Sequence, residues 1–267
     1  MSFGFRVLSF EDILKPLPAS RHSKPKSPDT ADYFATTHWS VILDARGADT
    51  SVAREALEKL CRAYWYPLYA YIRRQGRDAP DAQDLTQEFF ARLLEKHFLE
   101  EVDRGKGRFR SFLLGSLKHF LANDWDRRRA QKRGGGVLHI SIDGQVAESR
   151  YGLEPRHDQT PDKLFERRWA LTLLDQVLTR LREEFVAAGK GEQFDQLKVV
   201  LTSDKRSIPY ATLGAQVGLS EGAIKVAVHR LRQRYREVLR AEIAATVASP
   251  AEVEEELRHL FTVLAQG

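Results

Sequence analysis

The stretch from Tyr210 to Arg240, YATLGAQVGLSEGAIKVAVHRLRQRYREVLR, constrains the chain more than any other. Leu213 and Val217 fall on one face of a short helix. Gly218 follows at the point where the chain must turn through a left-handed conformation, which costs any residue that carries a Cβ. Ser220 is placed to cap a second, longer helix. Along that helix Ile224, Ala227, Val228, Leu231, Tyr235 and Val238 recur at helical spacing and predict a buried stripe. Lys225, His229, Arg232 and Arg236 line a neighbouring face. Gly214 permits a close crossing, Gly218 turns the chain, and Ile224 packs the second helix on the first. Two readings follow: an ordinary helical hairpin with a solvated basic face, or a helix-turn-helix that enters a DNA major groove. Turn, cap and basic stripe together favour the second.

With this hairpin as an anchor, leucine, alanine, arginine and glutamate dominate the 267 residues and β-branched runs are few. The expected class is all-α, with two helical domains joined by a flexible linker, the second containing the helix-turn-helix, plus an extra C-terminal helix. The net charge of +5 favours an acidic partner such as nucleic acid, and its distribution matters more than its size. A single cysteine, Cys61, excludes an intramolecular disulfide and any cysteine-rich zinc site. Its neighbours Leu57, Leu60 and Tyr64 mark it as a small buried hydrophobe. No apolar run approaches the about 18 residues of a membrane helix, and the N-terminus lacks an apolar signal core. A cytoplasmic protein without a membrane partner, cofactor or metal is expected.

Residues 1–32, broken by Pro16, Pro18, Pro25 and Pro28, read as a flexible leader. The first domain is expected over 33–130. Thr37 caps a helix there, and a second runs from Ser51 to Arg74, with Pro67 placed to kink or split it. In DAPDAQDLTQEFFARLLEKHF, residues 78–98, Leu85, Phe89 and Leu93 point inward while Asp81, Asp84 and Glu88 share a face beside Gln87. That face reads as a solvated surface, a carboxylate metal site or a contact for a basic partner helix. The metal site lacks a Glu-x-x-His pattern.

Ten basic residues lie between Arg104 and Arg133 against two acids, Asp124 and Asp126, with Phe109, Phe112, Phe120 and Trp125 between them. Cations that neutralise phosphates and aromatics that stack on unpaired bases suit single-stranded nucleic acid, although Phe112, Leu113, Leu117, Phe120 and Leu121 also fit a core stripe. A metal nuclease built on His119, Asn123, Asp124 and Asp126 is a weaker alternative, because helical spacing scatters these around the axis. Gly134-Gly135-Gly136 opens a linker over 131–162 that includes a short strand at 137–143. The second domain is expected over 163–246. It begins with a helix from Pro161 to Ala187 and continues with another from Glu192 to Leu201. Ser249-Pro250-Ala251-Glu252 is a capping box that starts a terminal helix within 247–267. That helix is acidic outside (Glu252, Glu254, Glu255, Glu256) and apolar inside (Val253, Leu257, Leu260, Phe261, Leu264).

Three segments in this order resemble the bacterial sigma-70 superfamily of RNA polymerase sigma factors, in its compact extracytoplasmic-function (ECF) form. Asp84-Leu85-Thr86-Gln87-Glu88-Phe89-Phe90 is similar to the Asp-Leu-x-Gln-Glu-x-Phe segment that grips the clamp helices of the polymerase β′ subunit. The resemblance implies polymerase contacts from Asp81, Asp84, Leu85, Gln87 and Glu88. Phe109-Arg110-Ser111-Phe112-Leu113 and the helix to Arg129 resemble the segment that opens and reads the promoter −10 element. This implies DNA contacts from Arg108, Arg110, Lys118, His119, Asn123, Arg127 and Arg128, with His119 standing where members usually carry asparagine. Tyr210 to Arg236 resembles the domain that reads the −35 element, implying contacts from Ser220, Glu221, Gly222, Lys225, His229, Arg230 and Arg232. The implied function is non-enzymatic: recruitment of core RNA polymerase, through its β′ clamp helices and β flap, to promoter DNA. An anti-sigma factor or other regulator is a further implied partner. The competing reading is a free-standing helix-turn-helix regulator, which leaves the acidic 81–88 face and the basic aromatic segment unexplained.

Overall fold

The structure, a computed structural model, describes residues 51–93, 108–130, 144–152, 159–202 and 209–266. Every regular element among them is a helix, apart from one isolated antiparallel bridge between Arg108 and Val247. The described part of the protein is therefore all-α, as the composition predicts. The leader, the Thr37-capped helix and the strand expected at 137–143 lie outside the described residues.

The chain divides into two compact units. The first comprises Pro28–Leu173 and Ile243–Gly267. Its helix α1, Ser51–Arg74, runs unbroken through Pro67, where a kink or split was expected. Pro67 is flanked by Tyr64, Trp65, Leu68 and Tyr69, all but removed from solvent, so burial on both sides holds the helix together despite the missing donor. Gly76 takes φ 90° just past its end. Asp78 then caps α2, Ala79–Leu93, its Oδ1 accepting the Asp81 N–H at 2.8 Å. Leu85, Phe89, Phe90 and Leu93 are buried, which is the stripe that the spacing predicts. Helix α3, Phe109–Ala130, buries Phe109, Phe112, Leu113, Leu117 and Phe120 against them. Tyr64 meets Phe109 edge-on at 5.1 Å, and Phe89 meets Phe120 at 5.6 Å.

Sequence pattern assigned no element to 144–152, yet helix α4, Gly144–Gly152, forms there. It is tied down from a distance. Glu148 accepts from Tyr69 at 2.5 Å and from Arg73 at 3.0 and 2.6 Å, Tyr151 lies under the Arg73 guanidinium, and Arg150 covers the Tyr66 ring. Hydrogen bonding from Arg73 holds the Glu148 carboxyl below its ordinary range even though burial opposes the shift.

Helix α5, Pro161–Ala187, contributes its first half to this unit and its second half to the other, which comprises Met1–Ser27 and Leu174–Glu242. In the second unit the expected helix from Glu192 to Leu201 breaks at Lys198 into α6, Gly191–Leu197, and the single turn α7, Val199–Thr202. The Leu201 N–H bonds the Lys198 carbonyl at 3.0 Å, a tightened turn. Helix α8, Tyr210–Val217, ends on Gly218 at φ 72°, ψ 29°, and α9, Glu221–Ala244, follows. Leu213, Ile224, Val228, Leu231, Tyr235 and Val238 are buried, and Arg234 on the outer side bonds Glu184 through two nitrogens at 2.8 Å each. The last helix, α10, Ala251–Ala265, belongs to the first unit and packs Val253, Leu257, Leu260 and Phe261 inward. Half of the predicted capping box forms: Glu252 Oε2 accepts the Ser249 N–H at 3.0 Å, while the Ser249 hydroxyl also turns to that carboxylate.

Candidate nucleic-acid interface and an acidic face

The turn before α9 is built as its residues require. A Cβ on Gly214 would stand 2.7 Å from the Leu219 carbonyl oxygen and 3.4 Å from Ile224, so only glycine lets α8 approach this closely. Ser220 Oγ accepts the Ala223 N–H at 3.3 Å and caps α9. Opposite the buried stripe, Ser220, Glu221, Gly222, Lys225, His229 and Arg230 are exposed, with Val226 among them. Lys225 pairs with Glu221 at 2.7 Å, a solvent-bathed contact that another anion can displace at little cost. Arg232 does not join this face. At ~100° per residue it stands about 40° from Val228, beside the apolar stripe. It is half-buried and donates to the Val200 carbonyl at 3.2 Å.

In the first unit, Lys118, His119 and Asn123 are exposed along α3. Lys118 is held by Asp162, and together with Arg77, Gln75, Gly76, Leu121 and Ala122 it lines an open cleft of about 440 Å³. Arg127 and Arg128 lie on α3, with side chains outside the described set. Arg108 and Arg110 are placed differently from the rest of the basic group. Arg108 pairs with Glu255 at 2.5 Å and Glu256 at 3.2 Å. Arg110 is only 5% exposed. It bonds both oxygens of Glu256 at 2.9 and 3.1 Å, pairs with Glu166 and lies over the Trp169 ring at 4.8 Å. Burial by itself disfavours its charge, but the hydrogen bonds and charge of Glu256, joined by Glu166, prevail and hold the guanidinium above its ordinary pKa. Burial likewise pushes the adjacent Tyr64 hydroxyl well above its usual range.

Glu256 was expected on the outer acidic face of α10 and is 1% exposed. The signal was present: it follows Val253 by three and precedes Leu260 by four, the spacing of the apolar stripe itself. A carboxylate in such a position requires a buried cation, and Arg110 supplies it.

On α2 the acidic residues emerge as a ridge. Asp84 is exposed, and Asp81, Gln87 and Glu88 are half-exposed. Arg77 approaches Asp81 at 3.9 Å and Arg92 pairs with Glu88, both one helical turn away. Leu85 is fully buried beneath the ridge. Its side chain packs into the core and anchors the ridge there, unlike the surface position that a partner contact requires.

These placements coincide with a known domain. Residues 60–131, from the middle of α1 through α3, match the family Sigma-70 region 2. Over an alignment of 237 residues the chain is 24% identical to the ECF RNA polymerase sigma factor SigE of Mycolicibacterium smegmatis, covering 85% of this chain and 81% of that protein. No solved structure matches it significantly. Residues 60–131 therefore form a Sigma-70 region 2 domain, and the chain as a whole is similar to a sigma factor of the ECF type. Both similarities support a sigma-factor role in transcription initiation, which is a non-enzymatic one.

Proposed function

We propose that this protein recruits core RNA polymerase to specific promoters in the cytoplasm and aids their opening, with the contacts divided among three surfaces. The observation that carries the reading is the match of residues 60–131 to region 2 together with the ridge of exposed Asp84 and half-exposed Gln87 and Glu88 inside that span. The ridge is opposite in sign to the partner it needs, a basic helix of polymerase, and of the same sign as DNA. Lys118, His119 and Asn123, with Arg127 and Arg128, serve the −10 element, where cations meet the backbone and the helix edge meets unpaired bases. Helices α8 and α9 form a helix-turn-helix that presents Gly222, Lys225, His229 and Arg230 to the major groove of the −35 element, flanked by Ser220 and Glu221 at the capped start. Arg232 supports the helix from its Val200 contact. No helix among the described residues is long and apolar enough to cross a membrane.

The division is tested by polymerase-dependent transcription from normal and pre-melted promoters. Alanine at Lys225 and Arg230 weakens use of the upstream element, by about 1–3 kcal/mol for each base that the helix no longer reads. Alanine at Lys118, His119 and Asn123 impairs strand opening, so pre-melting restores activity to that set and not to the α9 set. Equal rescue of both sets contradicts the assignment.

A further inference from the structure

Arg108 and Arg110 stand at the start of the helix assigned above to the −10 element, yet both are occupied from within the chain. The segment leading into α10 is zipped to the residues that open α3. The Phe109 N–H donates to the Thr246 carbonyl at 3.0 Å, beside the bridge between Arg108 and Val247. From there α10 delivers two consecutive carboxylates to two nearly consecutive arginines. Glu255 lies at 2.5 Å from Arg108, and Glu256 at 2.9 and 3.1 Å from Arg110 and 3.2 Å from Arg108. Carboxylates presented at this spacing offer the guanidinium groups what a nucleic-acid backbone would offer, anionic oxygens for charge-assisted hydrogen bonds.

The two arms differ in exchangeability. The Glu255 side chain is 57% exposed and that of Arg108 26%, so a phosphate can displace this pair without unfolding anything. Glu256 and Arg110 are buried, with side chains at 1% and 6%, and part only if α10 lifts from Val253, Leu257 and Leu260. We infer that α10 is an intramolecular competitor for nucleic acid. Through Glu255 and Glu256, with Glu166 of α5 as a further partner of Arg110, it withholds Arg108 and Arg110 from phosphate, so the free protein carries a masked −10 surface. This rests on the assignment of α3 to DNA. The surface is unmasked in steps, the outer arm exchanging first and the inner arm following with α10.

The test uses the full chain without polymerase and a fluorescent single-stranded DNA oligonucleotide as probe, read by anisotropy across a salt series. Glu255→Gln tightens binding about threefold, and Glu255→Gln with Glu256→Gln tightens it about tenfold, with a steeper salt dependence as phosphate contacts are added. Arg108→Gln removes the gain of Glu255→Gln. The same change of charge at Glu254→Gln, one residue away on α10, produces no gain. Where the double variant loses its helical circular dichroism, the Glu255→Gln and Arg108→Gln pair decides. Variants that bind no tighter than wild type overturn the inference, as does a gain that survives Arg108→Gln or appears equally with Glu254→Gln. A protein that fails to direct transcription with core polymerase but shows this pattern loses the sigma assignment and keeps the mask. The reverse outcome removes the mask alone.

Discussion

Reversing Asp84 and Glu88 to lysine abolishes association with core RNA polymerase, a loss of about 100-fold or more, while the helical circular dichroism stays that of the wild type. Like charges brought together across an interface cost several kcal/mol, and 100-fold corresponds to about 3 kcal/mol. The effect on the fold is of a different order. Asp84 is exposed, and Glu88 gives up only its same-helix partner Arg92, a pairing of about 0.3–0.5 kcal/mol at this spacing. Leu85, Phe89 and Phe90 keep α2 on the core in either form. Co-elution of the variant with purified core measures the outcome. Retained association removes the ridge from the polymerase interface, and altered dichroism shows that the charges act on the fold instead.

The second large effect falls on the turn between α8 and α9. Gly214→Val destabilises the Leu174–Glu242 unit by about 1–3 kcal/mol, the usual range for forcing extra atoms into a filled site. Here the obstacle is backbone: the Leu219 carbonyl oxygen lies 2.7 Å from where a Cβ would stand. The turn has little freedom to withdraw, because the Leu219 N–H bonds the Gly214 carbonyl at 2.9 Å and Gly218 is already in the left-handed region. Gly222→Ala moves stability the other way. Its Cβ meets nothing within 4 Å and its position is helical, so the substitution gains about 0.5–1 kcal/mol. Chemical denaturation of both variants gives opposite signs. A Gly214→Val protein as stable as wild type contradicts the close crossing.

What could be read in the sequence was whatever depends on neighbours one or two turns away. The stripe Ile224–Val238, the Gly218 turn, the Ser220 cap and the inward set Leu85, Phe89 and Leu93 are all local patterns, and the structure places them as their spacing requires. Arg110 was not legible in the same way. Within a basic run it reads as a surface cation, and its partners Glu166 and Glu256 lie 56 and 146 residues away. Helix α4 likewise depends on Arg73, 75 residues from Glu148, and nothing in its own polar composition announces it. Arg232 lay at the margin, where a shift of one side-chain width decides between groove and core. Charge alone does not distinguish a cation that meets DNA from one that closes a fold. That distinction depends on which distant carboxylate the fold brings near.

The most direct measurement is transcription by purified core RNA polymerase on sheared genomic DNA from the source organism, with and without the full chain, followed by mapping of transcript 5′ ends. A sigma factor of this type yields start sites that require the protein, recur between preparations and are preceded by a shared pair of upstream elements. Transcripts identical to those of core alone, or DNA binding without association with core, contradict it.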